Sequence, residues 1–112
     1  MRYMNSLEEL TKALTKFRDD RDWKQFHNAK DLAVALNVEA SELLELFLWK
    51  KANEADEQMV ADELADVFAY ALMLADHYKL DVHDILSKKI EKNAIKYPVE
   101  KAKGTATKYS DL

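Results

Sequence analysis

The chain has 112 residues, enough for one domain with a modest core and too few for two. Its 21 acidic residues outnumber 17 basic ones, and a net charge of −4 argues against an extended DNA or RNA partner. There is no Cys, which excludes disulfides and thiolate metal sites, and a single Gly and a single Pro supply too few turns for a strand-rich fold. No apolar run approaches the roughly 20 residues that span a bilayer, and the N-terminus shows no signal-like apolar stretch, so a cytoplasmic protein without a membrane partner is expected.

Ser6-Leu-Glu-Glu9 reads as a capping box, and Leu7, Leu10, Leu14 and Phe17 recur behind it at helical spacing. This helix fades in Arg18-Asp-Asp-Arg-Asp22, and Trp23-Lys-Gln-Phe-His27 reads as an aromatic loop. Asn28 is the N-cap expected for a second helix, whose apolar face runs through Leu32, Leu36, Ala40, Leu43 and Phe47 to about Trp49. Lys50 and Lys51 then suit its C-terminal dipole. After the polar stretch 53–57 comes a third, most apolar helix through Val60, Leu64, Val67, Phe68, Leu72 and Ala75. Asp81 caps a fourth, which Pro98 stops after Tyr97. The expectation is an all-α, four-helix bundle-type domain over residues 1–98, with an irregular tail at 99–112 that orders on substrate or a partner subunit.

Two pairs of acids interrupt the apolar pattern. Glu39 and Glu42 sit three residues apart beside Leu36, Ala40 and Leu43, and Glu63 and Asp66 repeat the spacing among Val60, Leu64 and Val67. Residues i and i+3 share a helix face, so each pair aims two like charges the same way, at a cost that grows on burial without a counter-charge. Spacing alone leaves two readings open: solvated surface acids, or oxygen ligands for a hard cation such as Mg²⁺ that holds substrate phosphates. Glu45 extends the first pair by one more step of three, as a further ligand, a general base acting on water, or a solvated neighbour. Lys89, Asn93 and Tyr97 fall on one face of the fourth helix, either a solvated surface or a clamp for phosphate and sugar, with Lys30 and Lys108 as weaker candidates. Trp23, His27, Trp49 and Tyr70 are candidates for holding a base, since aromatic faces stack on nucleobases. Trp49 and Tyr70 are equally open to plain core packing.

Glu39-Ala-Ser-Glu42, followed by Glu63-Leu-Ala-Asp66, resembles the ExxE…ExxD signature of MazG-like nucleotide pyrophosphohydrolases. Arg21-Asp-Trp-Lys-Gln-Phe-His27, Glu42-Leu-Leu-Glu-Leu-Phe-Leu-Trp49, Lys89-Ile-Glu-Lys-Asn93 leading into Lys96-Tyr97-Pro98, and Lys108-Tyr109 resemble its all-α dCTP pyrophosphatase branch, from about Leu7 to Leu112. The resemblance implies hydrolysis of a nucleoside triphosphate to monophosphate and pyrophosphate, with dCTP or a modified dCTP as leading substrate. It implies Mg²⁺, with Mn²⁺ as substitute, at Glu39, Glu42, Glu63 and Asp66. It further implies substrate contacts at Lys89, Asn93 and Tyr97, and a base pocket lined by Trp23, His27, Trp49 and Tyr70. Leu14 departs from the pattern, standing where that branch can carry a His, which bears on base preference and leaves the phosphate chemistry unaffected. A homodimer or homotetramer is implied, each pocket completed by a neighbouring chain, with Phe47, Leu48, Met73 and Leu74 adding contacts between subunits. Two rivals stand against this: a non-enzymatic helical oligomerisation or adaptor module, and a metal-dependent phosphohydrolase of another phosphorylated metabolite.

Overall fold

A computed structural model describes residues 6–112. They form an all-α chain with helices α1 (Leu7–Asp20), α2 (Ala29–Glu45), α3 (Glu57–His77), α4 (Val82–Lys96) and a single turn, α5 (Val99–Ala102). The described residues divide into two compact units, one ending at Leu80 and the other Asp81–Leu112.

The helix starts follow from short polar side chains that satisfy otherwise orphaned amides. Ser6 Oγ accepts from the Glu9 N–H at 3.0 Å, Asn28 Oδ1 from Asp31 at 2.8 Å, Asp56 Oδ1 from Met59 at 3.0 Å, and Asp81 Oδ1 from Asp84 at 3.0 Å. Two of the ends are equally well defined. At the close of α1 the Trp23 N–H donates to the Arg18 carbonyl and the Asp22 N–H to that of Asp19, with Asp22 left-handed at φ 54°. This is a Schellman closure, for which Asp is among the few non-Gly residues suited. At the end of α3, Leu80 donates to Ala75 and Lys79 to Asp76, with Lys79 at φ 56°.

In the first unit α2 pairs extensively with α3, and α1 packs on α3. Leu32 of α2 and Leu72, Met73 and Ala75 of α3 are its buried apolar residues. A fully buried Leu or Met contributes roughly 1.5–3 kcal/mol, so this is a small core. Helix α3 carries three of the four residues, in keeping with its being the most apolar segment.

Helix α2 ends at Glu45, four residues short of the expected Trp49. Leu46, Phe47 and Leu48 donate to carbonyls three residues back, which tightens the last turn out of α geometry. Trp49 then takes a left-handed φ of 63°, which no helix can continue. The segment expected to be an irregular tail contains α5 and a 3-10 turn at Tyr109–Asp111. Tyr109 meets Tyr97 edge to face at 6.1 Å, and Lys96 Nζ lies 4.8 Å from the Tyr109 ring centre.

Candidate active site

Helices α2 and α3 bring the acid pairs together. One carboxylate oxygen each from Glu39, Glu63 and Asp66 lies within 4.8 Å of the others. Glu39 Oε2 and Glu63 Oε2 are cut off from solvent and accept no hydrogen bond. Burial, then the adjoining carboxyls of Glu42 and Glu63, then the charges of Glu42 and Asp66, push the Glu39 carboxyl up to about 7. Glu42 therefore belongs to the same neighbourhood while lying outside the tight trio. Glu45, the last residue of α2, is exposed and also outside it.

Among the described residues none of these acids is in an ion pair; the pairs formed are on other residues, such as Glu8 with Lys12, Lys16 with Asp20 and Asp84 with Lys88. Orphaned buried oxygens are costly, and a cluster of like charges with no basic partner is a donor set for a hard cation. The residues present fit such an ion.

Beside the trio lies a cavity of about 290 Å³. Its α1 wall is Leu14, Phe17 and Arg18, the turn after α1 supplies Trp23 and His27, and α3 supplies Asp66, Ala69, Tyr70 and Met73. The Schellman turn explains the aromatic wall. The Asp22 reversal folds Trp23 back against Phe17, ring centres 5.8 Å apart and edge to face, while Arg21 lies over the Phe17 ring at 3.5 Å. Buried His27 Nδ1 has no partner. Desolvation, then the positive charge of Arg18, lower the His27 pKa and favour a neutral imidazole.

Three of the four predicted base-binding residues, Trp23, His27 and Tyr70, thus line one cavity. Trp49 does not: it stands wholly exposed on the link after α2, which removes core packing of its own chain as an explanation. Met73 is buried within its own chain and lines the cavity. Lys89 and Asn93 lie on exposed positions of α4, and Tyr97 caps its end, all in the second unit. Leu14, which the resemblance ties to base preference, lies on the cavity wall, and Phe17 and Arg18 join it there without a prior expectation. The spacing of 14, 17 and 18 is that of a single helix face, and that was the available signal.

A family model described as the MazG-like family matches residues 34–112. The chain belongs to the MazG-like family. This MazG-like chain is 36% identical to dCTP pyrophosphatase 1 of Mus musculus and 33% identical to that of Homo sapiens, each over 96% of this chain and 68% of the relative. It also resembles a solved structure described as a pyrophosphatase from Archaeoglobus fulgidus, with a TM-score of 0.78 and 36% identity over 88% of this chain and 97% of that one. The MazG-like match includes both acid pairs, while Leu14, Phe17, Arg18, Trp23 and His27 lie before it.

Proposed function

We propose that this chain is a nucleoside triphosphate pyrophosphohydrolase that releases a monophosphate and pyrophosphate, with dCTP or a modified dCTP as leading substrate and Mg²⁺ as cofactor. One observation carries the reading: Asp66 belongs both to the oxygen trio and to the lining of the aromatic cavity. A site for charge and a site for a flat ring therefore adjoin at a single side chain, as the phosphate and base ends of a nucleotide require. The cavity lies at the lower edge of the roughly 300–1,000 Å³ typical of small-molecule pockets, a size suited to a base rather than a whole nucleotide.

Glu39, Glu42, Glu63 and Asp66 would hold Mg²⁺, which when bound polarises phosphoryl oxygens and neutralises developing charge. Trp23 and Tyr70 offer aromatic faces to the base, and Glu45 is assigned as the base that takes a proton from the attacking water. Lys89, Asn93 and Tyr97 are proposed to engage phosphate and sugar. Attack at the α-phosphorus leaves little covalent work for the protein, so the burden falls on positioning and electrostatics. Incubation with dCTP and Mg²⁺, followed by phosphorus NMR, tests this: dCMP and pyrophosphate are expected, and orthophosphate with dCDP would contradict the assigned bond cleavage.

We further propose that the working form is a homodimer or homotetramer. Trp49 is fully exposed with a left-handed backbone, an outlier for a bulky residue, and Val34, Leu44 and Phe68 are each more than half exposed on α2 and α3. A neighbouring chain would cover these residues and take the Trp49 ring into its own pocket. Trp49→Ala is accordingly expected to lower kcat/KM by about 10- to 100-fold, on the scale of one lost stacking contact, with the helical circular dichroism unchanged. Full activity in that variant would remove Trp49 from the site.

A further inference from the structure

Arg18 is the one cationic side chain on the cavity wall, and the reading above gives it no task. Only 12% of its side chain is exposed, whereas its partner Asp19 is 53% exposed. Nε donates to Asp19 Oδ1 at 2.8 Å, the only side-chain hydrogen bond of this guanidinium among the described residues. The bond fixes the plane of the fork and ties down one edge. The two terminal nitrogens make no side-chain hydrogen bond among the described residues, and the residue lines a pocket whose other walls include Leu14, Phe17, Trp23, Tyr70 and Met73. Its remaining donors are not among the buried atoms that lack a partner, so they stay open to an incoming acceptor. Held in plane, it matches two acceptors side by side.

We propose that Arg18 is a specificity-determining residue that reads the base through two adjacent acceptors, such as O2 and N3 of cytosine or O6 and N7 of guanine. Thymine places an N–H between its carbonyls, and adenine pairs N7 with an amino group, so each turns a donor toward the fork. The pocket therefore discriminates by hydrogen-bond polarity, with aromatic stacking common to all bases. This deepens the assignment of the cavity as a base pocket and rests on it.

Calorimetric titration of the wild type, Arg18→Leu and Arg18→Lys with dCMP, dGMP, dTMP and dAMP tests the idea, with thermal melts confirming that each variant is folded. The wild type is expected to favour dCMP and dGMP. Arg18→Leu should weaken those two by about 10- to 100-fold and the other two by less than about threefold. Arg18→Lys, which keeps the charge and loses the fork, should lose most of the same preference. Equal weakening of all four nucleotides in Arg18→Leu, full retention of preference in Arg18→Lys, or no binding of any monophosphate to the wild type would overturn the proposal. Turnover of the four triphosphates is scored separately. Base-selective binding that Arg18→Leu abolishes, in a wild type that hydrolyses nothing, would sink the hydrolase reading and leave this one standing. Turnover with a base preference indifferent to Arg18 would do the reverse.

Discussion

Replacing Asp66 with Asn, or Glu63 with Gln, is expected to lower kcat/KM for dCTP by at least about a hundredfold, the scale on which a displaced ligand or a lost electrostatic contact acts. Both residues belong to the oxygen trio within 4.8 Å, and the Glu63 oxygen buried there has no protein partner. Neither substitution removes apolar contact area, and each takes one negative charge from a cluster that has no basic side chain to balance it. The metal-free variants are therefore expected to melt no lower than the wild type, and calorimetry beside a pyrophosphate-release assay reads both effects. Loss of activity with stability retained separates a working carboxylate from a structural one. A variant that keeps most of its turnover would remove that residue from the ligand set.

The second large effect is a coupling between magnesium and pH in thermal stability. The Glu39 carboxyl has an ordinary value near 4.5 and is pushed up to about 7 in the folded chain, first by burial and then by neighbouring acids. Between those values the folded state binds more protons than the unfolded state, so unfolding free energy falls as pH rises across the window. The stabilising contribution of the protonated carboxyl is complete below about 4.5, is lost as pH passes through about 7, and changes no further above that. In metal-free buffer the melting temperature should decline over this range, and Glu39→Gln should flatten the decline. Magnesium reverses the effect at alkaline pH, where the ion meets an ionised cluster and need not displace a proton. At a hundredfold excess over its dissociation constant, a ligand specific to the folded state adds about 2.7 kcal/mol, on the order of ten degrees in Tm for a domain this size. The shift at pH 8 should exceed that at pH 5, with Mn²⁺ able to substitute. No magnesium-dependent shift at either pH would remove the ion from the cluster and favour the adaptor reading.

Helix starts were legible because Ser6, Asn28 and Asp81 announce them by chemistry local to a few residues. The end of α2 was not, because Phe47 and Leu48 continue the apolar rhythm after the hydrogen bonds have tightened and the chain has turned at Trp49. The acid pairs were legible from a spacing of three inside apolar runs, and the meeting of Glu39 with Glu63 and Asp66 depended on the pairing of α2 with α3. Trp23, His27 and Tyr70 are legible as candidates for a base and again through the family resemblance. Their shared cavity rests on the Asp22 reversal, which no periodicity encodes. Arg18 was hidden for the opposite reason: within Arg18-Asp-Asp-Arg-Asp22 it reads as one more solvated charge, and only the fold shows it turned inward.

The double membership of Asp66 has an evolutionary corollary. Alterations on α3 at Ala69, Tyr70 or Met73 sit within about two turns of Asp66, which also belongs to the oxygen trio, so on the proposed reading retuning the cavity from that side would disturb the reaction as well. The wall made by Leu14, Phe17 and Arg18 belongs to a different helix and contributes nothing to the trio. On the proposed reading, drift in substrate taste should therefore accumulate on α1, where diversification leaves the oxygen trio untouched.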